Sequence, residues 1–192
     1  MDNKIVLASA SPRRAELLRQ VGLEFEVMVS EVEETLTPGL EPAAQVELFA
    51  LRKANAVAAT LDRGIVIGAD TVVVQGGRVL GKPVDAQEAV EMLQLLQGKG
   101  HEVYTGVALV DARSSVKLVE HVMTRVFFNA MSEESIRRYV ATGEPLDKAG
   151  AYAVQGRAAL FINRLEGCYY NVVGLPLARL ATMLKKLECE II

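Results

Sequence analysis

The segment Gly64-Ile65-Val66-Ile67-Gly68-Ala69-Asp70-Thr71-Val72-Val73-Val74-Gln75 constrains the fold of this chain more than any other. A near-continuous β-branched run without alternation reads as a strand buried on both faces, or two such strands in line, and strands of that kind lie in sheets covered by helices. The Gly76-Gly77 pair that follows predicts a tight turn into Arg78 to Leu80, so part of the sheet is antiparallel. Asp70 stands in the middle of the run. A carboxylate there is costly to bury unless a metal, a cation or a proton satisfies it. It is either a site residue or an aspartate at a strand end, capping a turn or paired structurally with a lysine. Thr71 points to the opposite face if the strand stays extended, and toward the same cleft if the strand breaks there.

A second punctuated stretch is Leu7-Ala8-Ser9-Ala10-Ser11-Pro12-Arg13-Arg14. Ile5 to Ala8 reads as a short buried strand, Ser11 as a helix N-cap and Pro12 as the first helical residue, where a missing N–H costs nothing. The helix runs to about Val21, and Gly22 stops it as a left-handed cap. Seryl hydroxyls, first-turn N–H groups and the positive end of the helix dipole then converge where Arg13 and Arg14 begin, which suits a phosphate. The alternative is an ordinary capped helix with two solvated arginines.

Periodicity orders the remainder. Phe25 to Val29 reads as a strand, Ser30 to Pro42 as an acidic, proline-bearing loop, and Ala43 to about Thr60 as a helix. Asp85 caps a helix over about Ala86 to Gln97 that Gly98 closes, and alternation over Val103 to Val110 and Lys117 to Phe128 predicts a long antiparallel pair. Ser132 caps a further helix ending at Gly143, Ala158 to Leu165 reads as a strand, and Pro176 opens a last helix reaching about Leu187. The pattern is α/β, a mixed sheet with flanking helices.

With 192 residues the chain suits one domain, or a compact body with two lobes, and needs no cofactor for stability. A net charge of -3 provides no basic field for a nucleic-acid polymer. Cys168 and Cys189 have neither zinc-ligand spacing nor a disulfide framework, and no apolar span reaches the roughly 20 residues of a membrane helix. The expectation is a cytoplasmic protein.

Lys82, in the rigid Gly81-Lys82-Pro83 turn, and Lys53, on the helix over Ala43 to Thr60, supply further positive charge, although each alone reads as a solvated side chain. Glu31, Glu33 and Glu34 follow the second strand. They form a solvated acidic loop, or one of them joins Asp70 in holding a hard divalent cation, since Mg²⁺ takes a few carboxylates plus water and phosphate oxygens. Cations and carboxylates around one cleft describe a site for a metal-bound polyphosphate. His101 and His121 lack partners at ligand spacing and read as structural or surface residues. Tyr104, Tyr152, Tyr169 and Tyr170 read as packing residues, the alternative being base-stacking platforms, with Tyr152 near enough to Gln155 to line a pocket. Asp147 and Lys148 form a structural ion pair, orient the Gln155 loop or touch phosphate.

The motifs Ala8-Ser9-Ala10-Ser11-Pro12-Arg13-Arg14, Gly68-Ala69-Asp70-Thr71-Val72, Gly81-Lys82-Pro83, Glu144 to Tyr152, Gln155-Gly156 and Val173-Gly174-Leu175-Pro176 together resemble the Maf family of nucleoside triphosphate pyrophosphatases. The resemblance spans nearly the whole chain as a single Maf-like domain. It implies a twisted mixed sheet like that of the inosine triphosphate pyrophosphatases, with two lobes around a cleft, and hydrolysis between the α and β phosphates. It implies Asp70 as proton acceptor, and Ser9, Arg13, Arg14, Lys53 and Lys82 along the triphosphate. It also implies Mg²⁺ or Mn²⁺ held by Asp70 with Glu33 or Glu34, and a homodimer. Arg13, Thr71 and Gln155 match the positions that track base preference, and this combination resembles the subgroup acting on dTTP and UTP. Modified pyrimidine nucleotides, in a house-cleaning role, are further substrates to consider. The alternative is a nucleotide-binding regulator of cell division and septum formation.

Overall fold

The β-branched run forms one uninterrupted strand, β3 (Ile65–Gln75), not two in line, and the rest of the sheet is arranged around it. The computed structural model describes residues 4–32, 35, 37 and 39–191. Among these, strands β1 (Ile5–Leu7), β2 (Glu26–Val27), β3, β4 (Arg78–Leu80), β5 (Gly100–Asp111), β6 (Lys117–Phe128) and β7 (Ile162–Glu166) make one mixed sheet. Its order is β2-β1-β3-β5-β6-β7, and β4 pairs with β3. β1 runs parallel to both β2 and β3, with Val6 opposite Glu26 and Val66, whereas β4 and β7 are antiparallel to their neighbours. The helices are α1 (Pro12–Gln20), α2 (Pro42–Ala58), α3 (Ala86–Leu96), α4 (Glu133–Val140), α5 (Tyr169–Val173) and α6 (Leu177–Lys185).

Local chemistry accounts for most boundaries. Gly76 and Gly77 both have positive φ, 56° and 79°, as the two-residue turn between β3 and β4 demands. Asp85 accepts a 2.8 Å bond from the Glu88 N–H and starts α3, and Ser132 accepts from the Ser135 N–H and starts α4. Only a short link joins the neighbouring strands β5 and β6, so they form the expected antiparallel hairpin.

Other boundaries depart from expectation. Ser11 occupies the N-cap position of α1 but its side chain makes no capping bond, and the preceding turn is instead fastened by Ser9, whose hydroxyl accepts from the Ser11 N–H. Residues 158–160, expected as the start of a strand, lie in a 3-10 turn over Arg157–Leu160, where the Arg157 N–H is bonded to the Glu144 carboxylate instead of a sheet neighbour. The strand begins only at Ile162. The second strand shrinks to Glu26–Val27, and α5 was not foreseen, five residues being too few to show a period.

The chain divides into two compact units, one of Met1–Asp70, Thr105–Val122 and Gly174–Ile192, the other of Thr71–Tyr104 and Met123–Val173. In the first, Val6, Val66, Ala108 and Val110 of the sheet pack against Ala50, Ala54, Val57 and Ala58 of α2. In the second, α3 and α4 place Leu93, Leu96, Ile136 and Val140 in a core with Val73, Leu80, Val103, Val126 and Phe128.

That second core also holds His101, 2 % exposed, with its Nε2 2.9 Å from the Tyr152 hydroxyl and its ring edge-on to Phe128 and Tyr152. His101 is thus structural, as expected. Burial lowers its pKa to about 4 from 6.5. The unfolded chain therefore takes up a proton between about pH 6.5 and 4 that the folded chain refuses, and stability present above pH 6.5 is lost as the pH falls. From pH 7 to 5 this histidine contributes a loss of about 2 kcal/mol. Urea unfolding of His101→Gln at both pH values checks this, with the acid-induced loss expected to shrink by that amount; equal losses in the two proteins exclude the histidine as the cause.

Candidate active site

Backbone periodicity in the first unit sets an acid and a base against each other. Val66, Gly68 and Asp70 alternate along β3 and share one face. α2 lies so close to that face that a Cβ on Gly68 would stand 2.2 Å from the Ala50 carbonyl oxygen and 2.9 Å from the Ala54 nitrogen. Gly106 of β5 has the same relation to Val46, whose carbonyl oxygen would be 2.3 Å away. With the helix seated on these bare positions, Lys53 meets Asp70, Nζ to Oδ1 at 2.6 Å, and both residues are 7 % exposed. The buried carboxylate is thus compensated by a cation, the requirement its position in the run imposes. Lys53, one of the residues expected along the triphosphate, is thus paired with Asp70.

One strand away, the Ala8 N–H donates to the Ile67 carbonyl at 2.8 Å and the chain leaves β1 beside the part of β3 that leads to Asp70. The buried Ser9 hydroxyl accepts from the Ser11 N–H at 3.2 Å and from Arg14 Nη1 at 3.1 Å. Arg14 Nε donates to the Gly174 carbonyl at 2.9 Å, so its guanidinium is fixed on two sides. Arg13 and Arg14 are both half-buried at the first turn of α1. Here positive charge and the helix N-terminus coincide. The structure therefore pairs Ser9 with Arg14 and Lys53 with Asp70, and places both pairs, with Arg13, in one unit.

Of the remaining expected residues, Thr71, Lys82 and Gln155 belong to the second unit. β3 stays extended through Asp70 and Thr71, so alternation sends these neighbours to opposite faces. Lys82 is exposed in the segment after β4, which is tied down by a 2.9 Å bond from the Gly150 N–H to the Gly81 carbonyl. Gln155 is exposed, on a turn closed by the Gly156 N–H and the Ala153 carbonyl at 3.0 Å. Asp147 and Lys148 form an ion pair, and His121 pairs with Glu47 at 2.7 Å. Tyr152 is a packing residue against His101 and Phe128. Glu33 and Glu34 lie outside the described residues. Among the described residues no three His, Cys, Asp or Glu side chains gather to hold a metal ion.

Sequence reasoning missed the Gly174 carbonyl that anchors Arg14, and the pairing of Glu144 with the Gln155 turn. Their contacts join residues far apart in sequence, although both lie in the quoted motifs.

A mixed sheet flanked by helices, carrying a buried acid-base pair and a basic helix N-terminus in one unit, defines an α/β protein. Its fold resembles the solved structure of the Staphylococcus aureus Ham1 protein, with a TM-score of 0.54 at 17 % identity over 96 % of this chain and 100 % of that one. This agrees with the inosine triphosphate pyrophosphatase-like architecture expected. Residues 4–187 match the model of the family described as Maf-like protein, and the chain belongs to the Maf family. It is 65 % identical to the dTTP/UTP pyrophosphatase of Pelotomaculum thermopropionicum, over 95 % of this chain and 96 % of that one. Identity to the dTTP/UTP pyrophosphatase of Desulforamulus reducens is 54 %, over 98 % of each chain.

Proposed function

We propose that this protein hydrolyses dTTP and UTP between the α and β phosphates, releasing the nucleoside monophosphate and pyrophosphate. The observation that carries the reading is the buried Asp70–Lys53 pair, in one unit with Ser9 and Arg14, in a chain that shares more than half its residues with dTTP/UTP pyrophosphatases. Asp70 activates water, as the base that takes its proton or as an oxygen ligand of a cation. Arg13, Arg14, Lys53 and Lys82 neutralise charge on the phosphates, the main electrostatic task in phosphoryl transfer. An oxygen donor such as Asp70 suits a hard cation, and Mg²⁺ usually takes only one or two protein carboxylates, so Asp70 with Glu33 or Glu34 fits Mg²⁺ or Mn²⁺. When bound, the cation would supply positive charge to the phosphate oxygens.

Gln155 reads the base. Its amide offers a donor and an acceptor to the O4 and N3–H of uracil or thymine, a pattern cytosine lacks and guanine shares at O6 and N1–H. Arg13 and Thr71 are the accompanying specificity positions. The protein acts in the cytoplasm, a setting in keeping with the free thiols of Cys168 and Cys189, and as a homodimer.

The test is pyrophosphate and monophosphate release from dTTP, UTP, CTP, GTP, methylated GTP and modified pyrimidine triphosphates with Mg²⁺. We expect dTTP and UTP to be cleaved about tenfold or more faster than CTP, and Gln155→Ala to lose most of that preference. Tight nucleotide binding without product on any substrate would overturn the enzymatic reading in favour of a nucleotide-responsive regulator.

A further inference from the structure

We infer that Glu144 is a positioning residue for base selection, acting as a clamp that holds the Ala153–Arg157 turn and so aims Gln155; this rests on the base-reading role proposed for Gln155. Every part of the clamp lies in the second unit. The Glu144 carboxylate is half-buried and grips the turn from one end, accepting from the Arg157 N–H with both oxygens, at 3.0 and 3.1 Å. The Tyr139 hydroxyl donates to Glu144 Oε1 at 2.8 Å, and the same hydroxyl oxygen accepts from the Ala153 N–H at 3.3 Å. Both ends of the turn are thus tied to one hydrogen-bonded pair, and Tyr139 is rooted in the core at 4 % exposure. Charge-assisted bonds of this kind are the stronger class, and the carboxylate is matched by more than one donor.

Gly156 gives an independent sign that the carboxylate belongs there. Its φ of -102° suits any residue, so backbone conformation does not call for glycine. A Cβ at that position would instead stand 2.3 Å from Glu144 Oε1 and 2.6 Å from Oε2. The missing side chain makes room for the clamp. Gln155, between this glycine and the turn's anchored start, has its backbone restrained while its side chain remains exposed.

The test compares dTTP and CTP hydrolysis in Glu144→Ala, Glu144→Gln, Gly156→Ala and the Glu144→Ala/Gly156→Ala double variant, with Gln155→Ala as reference. Glu144→Ala and Gly156→Ala are each expected to reduce the dTTP-over-CTP preference about tenfold, mainly through KM for dTTP, with CTP turnover little changed. Glu144→Gln keeps an acceptor for Tyr139 and Arg157 and is expected to retain most of the preference. Because an added methyl displaces only the end of a flexible side chain, Gly156→Ala folds normally and keeps the experiment decisive if Glu144→Ala does not. The double variant should be no worse than either single one, since both remove the same contact. Wild-type preference in Glu144→Ala or Gly156→Ala, alongside its loss in Gln155→Ala, overturns the clamp alone. Full preference in Gln155→Ala overturns the base-reading role and the clamp with it.

Discussion

Asp70→Asn is expected to lower the turnover of dTTP about 10³-fold while leaving nucleotide affinity within a few-fold of wild type. A positioned general base contributes roughly 10² to 10⁴ in rate, and the amide can neither take a proton nor serve a hard cation as a carboxylate does. The substitution also leaves Lys53 buried without its counter-charge, 2.6 Å from a neutral oxygen at best. Removing one member of a buried ion pair costs about 3 kcal/mol or more, which for a chain of this size lowers Tm by about 10 °C. Stopped-time assays of pyrophosphate release, equilibrium nucleotide binding and thermal unfolding separate the effects. A folded variant that turns over at a tenth of the wild-type rate or better removes Asp70 from the chemistry.

Gly68→Ala is expected to destabilise the fold by about 3 kcal/mol or more and to cost activity although Gly68 itself has no group to offer a substrate. The added methyl meets backbone atoms of α2, the Ala50 carbonyl at 2.2 Å and the Ala54 nitrogen at 2.9 Å, and backbone cannot swing aside as a side-chain tip can. The helix must rise from the sheet, carrying Lys53 away from Asp70. Gly81→Ala is the control for stability, because nothing lies within 4 Å of its added methyl, and should stay within about 0.5 kcal/mol of wild type. Chemical denaturation of both variants decides the matter: equal stability of Gly68→Ala and wild type would show that α2 does not depend on the bare position.

Features governed by near neighbours were legible in the residues. The continuous β-branched run became β3, the paired glycines became its turn, Asp85 and Ser132 became caps, and His101 became a core residue. The 3-10 turn over 157–160 was not legible, because the partner that bends it, Glu144, is 13 residues away and no local period announces it. Ser11 looked like a cap by type and position, yet Ser9 holds the turn, and composition alone cannot choose between two hydroxyls two residues apart.

The candidate site divides along the same line. That a carboxylate at position 70 required a partner followed from the sequence itself, since an apolar strand cannot hold an isolated charge. That the partner is Lys53 was decided only in three dimensions, where two glycines let a helix lie against the sheet and bring together residues 17 apart in the chain. Residue types and their local spacing determined the strands, the caps and which chemistry had to be present. Tertiary packing decided which charges meet and which carboxylate holds the Gln155 turn, because short-range contacts such as these depend on backbone approach that no local pattern encodes.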